Sequence, residues 1–518
     1  MTSIPPVETG VYLLAAHPCC PHFWNNIMFV NNRWLLLALI SSALFLIVID
    51  MTVLYTALPR LTQALDANAS QKLWIVNAYP LVVAGLLPGA GMLSDRVGHK
   101  RLFMAGLPVF AAASLCAAFS PSAEWLIAAR AFLAVGAAMM MPATLSIVRH
   151  IFTDERERAL AIGIWAAVAS SAAALGPVVG GVLLEYFWWG SVFLINVPVV
   201  MLVLPLAWRL IPHCGGENKR PYDIIGSVQI MIGLVGSIYA LKELSKTAPS
   251  FIALTIAAAL GIVSLVLFVR RQRQAQYPMI DFSLFQNRLF AGGVGVALLS
   301  MIALIGVELV LSQRLQLVLD LTPLQAALFI LPIPLASVLA GPLTGLFLPR
   351  YGERRMMLGS FILTALGIAG LALFYQSSVL LQLMCLCITG FGVGGAITAA
   401  STAIMLNAPE EKSGMAASIE DVSYELGGVL GITLLGGLMT AVYSHSLTLP
   451  GSLPVSDIAY DSIDEALRLA ATLADERAEQ LRQLARTAFD RAFIAVLIAA
   501  ALLMALGAGM AKWALGKK

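Results

Sequence analysis

Four carboxylates stand where an apolar chain would ordinarily carry none. Asp50 lies about two thirds of the way along the apolar stretch 34–57, and Glu420, Asp421 and Glu425 lie in another, 413–441. A charge at the centre of a bilayer costs about 2.5–3.5 kcal/mol on insertion scales, so such acids usually face a cavity and handle protons, ions or charged substrates. Asp421 and Glu425 are spaced i,i+4 and share a helix face, with Glu420 about 100° round from Asp421. Two carboxylates close together at low dielectric resist ionising together. Such a pair can exchange a proton for a cation.

Other residues could join this chemistry. Arg130 is the one basic residue that falls within an expected span, and a charge there needs a partner or a wet cavity. It is expected to neutralise an acid or hold a relay water, with snorkelling as the alternative. The proton-coupling set is therefore Asp50, Arg130, Glu420, Asp421 and Glu425. Glu308 lies near the outer end of its span. Tyr55, Tyr79, Trp165 and Tyr424 offer ring faces to a lipophilic cation, a contact worth up to about 2 kcal/mol when desolvated. Ordinary packing is the alternative for each ring. Asp50, Glu308 and Glu425 with these four rings make up the expected substrate-binding set.

These residues need elements to position them, and composition names the kind. The 518-residue chain is 59% hydrophobic and only 12% charged, with a mean hydropathy of +0.86. Soluble domains carry about 25% charged residues, so this is a polytopic, all-α membrane protein. Reading spans of about 20 apolar residues gives fourteen: 34–57, 72–94, 102–120, 124–148, 159–185, 189–210, 223–241, 250–270, 290–313, 323–348, 356–375, 379–406, 413–441 and 490–513. With the N-terminus inside, about 21 of the 32 Lys and Arg fall on the cytoplasmic side, as the positive-inside rule requires. Both termini are then cytoplasmic.

The net charge of +3 and the absence of a dense basic run give no reason to expect nucleic acid as a partner. Six scattered histidines, no nucleophile elbow and no Walker motif argue against an enzyme and against ATP as the energy source. Six cysteines form no disulfide framework, and Cys385 and Cys387 read as small core residues rather than metal ligands. No metal or cofactor is expected. Residues 1–33 read as an N-terminal cytoplasmic extension. The outer loop 444–490 contains an amphipathic helical pattern over 461–487, expected to cap the outer surface.

An internal repeat sets the architecture. The loop Gly91-Met-Leu-Ser-Asp95-Arg96-Val-Gly98-His-Lys100-Arg101 recurs, offset by 254 residues, as Gly345-Leu-Phe-Leu-Pro349-Arg350-Tyr-Gly352-Glu-Arg354-Arg355. Spans 1–6 therefore match spans 9–14. The expected organisation is a six-helix half over 34–210, two inserted helices over 211–289 and a second six-helix half over 290–518. Substrate binds where such halves meet, near the midplane. Asp95 and the basic residues of the first loop are expected to hold one transport state and break in the other. Pro349 replaces the acid in the second copy, so any gate there must differ.

At these residues the chain resembles the major facilitator superfamily, and within it the fourteen-span drug–proton antiporter branch. The resemblance rests on Gly91 to Arg101, on Ile49-Asp50-Met-Thr52 through Pro59, and on Arg130 with Gly136 and Pro142. It extends to Gly176-Pro177-Val-Val-Gly180-Gly181 and to Trp188 through Phe193-Leu-Ile-Asn196-Val-Pro198. Glu308 and Tyr424-Glu425-Leu-Gly are similar to efflux pumps for methyl viologen, dyes and quaternary ammonium biocides. The resemblance implies a monomeric antiporter of a bacterial inner membrane, exporting lipophilic cations against protons. Gly176 to Gly181 would seal one side of its pathway. Leu331-Pro332 leads to Ala336 and Ser337 where some relatives carry an acid, which puts divalent-cation handling in doubt. A metabolite transporter of the same fold and a non-transporting scaffold or receptor stay open at this point.

Overall fold

The computed structural model describes residues 33–67, 69–212, 223–244, 250–449, 457–460, 462–473 and 475–514. The expected N-terminal extension lies outside these residues except for Arg33. The first half contains α1 (Arg33–Ala64), α2 (Ala69–Val97), α3 (His99–Ala118), α4 (Ala123–Ile151), α5 (Glu155–Tyr186), α6 (Ser191–Leu194) and α7 (Asn196–Leu210). The inserted pair is α8 (Ile224–Leu244) and α9 (Phe251–Gln274). The second half contains α10 (Arg288–Gln313), α11 (Pro323–Ile330), α12 (Pro332–Tyr351), α13 (Glu353–Phe374), α14 (Val379–Leu406), α15 (Ser413–Ser446), α16 (Ile463–Ala470) and α17 (Asp475–Ala514). No strand occurs among the described residues.

Counting α6–α7 and α11–α12 as one crossing each, and α5 as one bent crossing, gives fourteen membrane spans. The chain is a multi-pass membrane protein. We call the side on which α1 begins the inner face, following the charge bias above.

Sequence chemistry explains where helices bend. The two arms of α5, Glu155–Ala173 and Val178–Tyr186, meet at 42° across the segment holding Gly176 and Pro177. A proline lacks the N–H that would close the helical ladder there. The crossing predicted over 323–348 breaks at Leu331, ahead of Pro332. The repeat is visible in backbone conformation: Gly98 joins α2 to α3 at φ 100°, and Gly352 joins α12 to α13 at φ 79°. Both turns need the left-handed region that glycine enters without steric cost.

Two buried cores correspond to the two halves. One runs through α1–α7 and extends to Ile404, Met405, Ala408 and Met415–Ile419 at the inner ends of α14 and α15. The other lies within α10–α17. A third, smaller cluster packs Ile230, Leu234 and Phe268 of the inserted pair on Ala84 and Met92 of α2, with Val422 and Leu426 of α15 beside them. The pair thus covers the seam between α2 and α15.

The outer cap differs in detail from the sequence expectation. It has two helical pieces, α16 and the start of α17, and the second continues without a break into the last span. Arg314, buried at the outer end of α10, pairs with Asp490 at 2.7 Å and lies 5.1 Å from the Tyr375 ring. Arg130 is therefore not the only buried arginine.

Candidate functional site

The site begins with α1, which carries Asp50 about 25 Å along its axis from Arg33, at 1.5 Å per residue. Asp50 is 2% exposed. Its partner comes from another span: Arg130 Nη1 donates to Asp50 Oδ2 at 2.7 Å, and Arg130 is 1% exposed. On the other oxygen, Asn196 Nδ2 donates to Asp50 Oδ1 at 2.9 Å and to Ser114 Oγ at 3.1 Å. The Tyr79 ring lies over the guanidinium, 4.6 Å from its carbon, and Phe193 lies at 6.0 Å. Five crossings thus converge on one ion pair. Burying both ions is costly, and the pair offsets this through their mutual contact, the Asn196 bond to Asp50 and the Tyr79 ring facing Arg130.

Polar capacity is left over around this pair. Arg130 Nε, Asn196 Oδ1 and Tyr79 Oη are buried without a protein partner. The Tyr79 phenol lies within electrostatic reach of both Asp50 and Glu425.

The acids of α15 form a ladder. From Ser413, Glu420, Asp421 and Glu425 lie about 10, 12 and 18 Å along the axis. Glu420 is fully buried, and Tyr424 Oη donates to its Oε1 at 2.7 Å. Asp421 is 3% exposed, and its Oδ2 has no protein partner. Glu425 is half-buried, as is Glu308, about 30 Å along α10 from Arg288. None of these four acids forms an ion pair among the described residues. Asp50 is the one of the five with its charge matched.

The expected ring contacts fall in different places. Trp165 is buried and donates its Nε1–H to Thr144 Oγ1 at 3.2 Å, so it packs α5 on α4. Tyr79 is fully buried on Arg130, and Tyr424 is tied to Glu420. Tyr55 lies on α1, but its side chain is outside those described, as is that of Pro177. Gly176 packs directly on Thr52, two residues past Asp50; Gly180 is buried, and Gly181 faces open space. The motif around Gly176 therefore touches the helix that carries Asp50.

The halves are clamped at the inner face. Asp95, on α2, accepts the Gly414 N–H at 2.7 Å on one oxygen and the Met415 N–H at 3.0 Å on the other. These are the second and third amides of α15, whose own N-cap residue Lys412 supplies no side-chain cap. A carboxylate there satisfies orphan donors and complements the positive end of the helix dipole. Gly91 permits the approach, since a Cβ would meet Gly414 O at 2.5 Å. Neighbouring links are Arg149 Nη2 to Ala408 O at 2.6 Å and His99, whose ring nitrogens face Ser94 Oγ at 2.8 Å and Ser413 Oγ at 3.3 Å.

Lys100 Nζ donates to Trp208 O at 2.8 Å, Arg96 is half-buried, and Arg101 is exposed. At the mirror position no acid crosses. There α5 is capped by its own Asp154, and Gly163 and Gly341 meet backbone to backbone.

Comparison with known proteins decides the family. The Major Facilitator Superfamily model matches residues 40–432 and, separately, 289–513. The chain belongs to the Major Facilitator Superfamily. The second match begins beside Arg288, where α10 opens. The chain is 41% identical over 483 residues to the methyl viologen resistance protein SmvA of Salmonella typhimurium, covering 92% of this chain and 98% of that one. It is 39% identical over 477 residues to the multidrug efflux pump LfrA of Mycolicibacterium smegmatis, covering 92% and 94%. Among solved structures, the human organic anion transporter MFSD10 shares the fold, with a TM-score of 0.60 over 91% of this chain and 99% of that one at 13% identity. The family is one of transporters, not enzymes.

Sequence reasoning missed Asn196, Ser114 and His99 as partners. Asn196 and His99 lay within quoted motifs but carried no assigned role.

Proposed function

We propose that this protein exports lipophilic cations, methyl viologen and quaternary ammonium compounds among them, in exchange for protons. The observation that carries the reading is the imbalance of charge at membrane depth: five acids on two halves, only one of them paired with a cation. A hydrophobic cation finds in Glu308 and Glu425 two half-buried carboxylates without a competing protein cation. The similarity to SmvA and LfrA supports the same substrate class. No cofactor enters; the proton gradient supplies the energy, and the unit of transport is one chain.

The geometry favours placing the cation on Glu308 and Glu425, with Asp421 and Glu420 adjusting the charge beside them. Asp50, assigned by sequence to direct recognition, has both oxygens engaged and is better suited to coupling with Arg130. In this scheme the inner face is cytoplasmic, the membrane is a bacterial inner membrane, and the inner-closed form releases its cargo outward. A proton arriving from outside neutralises Asp50 and frees Arg130 to change partners. Asp95 then leaves α15, the inner face opens, and loss of the proton inside resets the pair.

The test is reconstitution in proteoliposomes with an imposed pH gradient, following ethidium and methyl viologen. Gradient-driven movement of both, abolished by Asp50→Asn and by Glu425→Gln in properly inserted protein, is expected. Undiminished gradient-driven transport in the Asp50→Asn, Glu425→Gln double variant would falsify the coupling scheme.

A further inference from the structure

We infer that Asn196 is a positioning residue for the coupling carboxylate, setting the pH at which Asp50 takes up its proton. The inference rests on the coupling role proposed above for Asp50. Asn196 is fully buried at the start of α7, directly after the break at Ile195 that separates α6 from α7. Both N–H groups of its amide are committed, one to Asp50 Oδ1 at 2.9 Å and one to Ser114 Oγ at 3.1 Å. Ser114 is also fully buried, on α3. The serine therefore fixes the amide's direction, and the amide fixes the carboxylate.

An asparagine offers something a purely apolar filler lacks. An ionised carboxylate only accepts hydrogen bonds, so the amide must present its NH2, as it does here. A protonated carboxyl also donates, and the amide oxygen, buried without a protein partner, can accept that bond after a half-turn of the amide. The residue can serve both protonation states from one position. It does so from the helix break between α6 and α7.

The groups facing Asp50 from each neighbouring element are few. Arg130 comes from α4, with Tyr79 of α2 lying over it. Ser114 comes from α3, and Asn196 from α7. From α5, Gly176 meets Thr52 beside it. Glu425 of α15 reaches Tyr79 electrostatically. Arg130 supplies the charge; Asn196 is the neutral donor that adjusts it. Loss of a donor to the charged form makes a carboxylate bind its proton more tightly.

The experiment is the pH profile of gradient-driven ethidium efflux in proteoliposomes for wild type, Asn196→Leu, Ser114→Ala and Asp50→Asn, with insertion and monodispersity checked for each. Asn196→Leu, near in volume, is expected to move the midpoint about one pH unit to the alkaline side, a tenfold change in proton affinity. Ser114→Ala, which only loosens the amide, moves it the same way by less. A lower amplitude with an unmoved midpoint in Asn196→Leu makes Asn196 a packing residue and overturns the inference. If Asn196→Leu fails to fold, an unmoved midpoint in Ser114→Ala does so instead. Retained pH-dependent efflux in Asp50→Asn defeats the coupling role itself, whatever Asn196 does.

Discussion

Asp95 accepts the Gly414 N–H at 2.7 Å, so a helix of the second half starts on a cap that belongs to the first. The two halves are related by a repeat, yet this bond has no mirror copy. Where Pro349 replaces the acid, α5 begins on its own Asp154, whose Oδ1 accepts the amides of Arg156 and Glu157 at 3.0 Å each. One seam is thus held by a bond that must break for the halves to part. The other has Gly163 against Gly341 and a Ser170–Ser337 hydroxyl bond at 2.9 Å, with no carboxylate cap across it among the described residues.

Asp95→Ala should consequently favour the inner-open state. Loss of a helix cap costs about 1 kcal/mol, a shift of roughly fivefold in the conformational equilibrium. The measure is alkylation of a cysteine placed at Ala408, which the closed gate buries. Faster labelling from the inner side in the variant is expected, and an unchanged rate removes Asp95 from the gate.

Arg130→Met should destabilise the protein by about 3–5 kcal/mol, because it leaves a lone buried carboxylate. Adding Asp50→Asn should recover most of that loss. Thermal unfolding in detergent reads the stability, and the pH-gradient assay should find the stable double variant inactive. A double variant as unstable as the single one would mean that the pair does not stand alone.

Glu308→Gln and Glu425→Gln should each weaken binding of a dication more than of a monocation. Methyl viologen carries two charges and ethidium one, so the loss should be about tenfold for the former, or 1.4 kcal/mol, and smaller for the latter. Equal losses for both ligands, read by equilibrium binding, would place these acids away from the cargo.

Gly176 and Gly181 belong to one motif but should respond differently to alanine. A Cβ at Gly176 collides with Thr52, whereas none of the described surrounding atoms lies within 4 Å of one at Gly181. Overpacking costs about 1–3 kcal/mol, so Gly176→Ala should lower the melting temperature and efflux together. Gly181→Ala should match wild type.

Outside the membrane, Asp281 gives a pH signature. Partial burial opposes its charge, but Lys412 Nζ at 2.5 Å and Ser283 outweigh this and hold the carboxyl at about 2. The folded value lies below the unfolded one of about 3.9. Its stabilisation is therefore present in full above about pH 4 and is lost as pH falls toward 2. Asp281→Asn should lower stability by about 1 kcal/mol or less, equally at pH 6 and pH 8. That gap should close on acidification below pH 4.

Much of this was legible in the sequence. The fourteen crossings follow from apolar length, and the repeat loops follow from Gly98 and Gly352, whose shared backbone conformation only glycine adopts freely. Depth followed from position along each span, so the placement of the acids was readable too. What hydropathy lacks is direction round the helix axis. Asp50 shows a carboxylate at a depth, but its partner Arg130 is 80 residues away on another span, and Asn196 is 146 away. Such contacts depend on how tightly neighbouring helices approach, which small residues such as Gly176 and Gly91 decide locally. The fused cap and last span were missed because polar residues at 475–490 look like a loop until Asp490 and Arg486 find Arg314 and Asp320.

That last helix has a mechanical consequence. At 40 residues α17 is about 60 Å long, about twice the thickness of a bilayer's hydrocarbon core. About three to four turns in from its outer end, Asp490 and Arg486 brace it to Arg314, just past α10, and to Asp320 in the following turn. Any tilt of the second half is thus carried beyond the membrane by a stiff lever rather than absorbed in a slack loop.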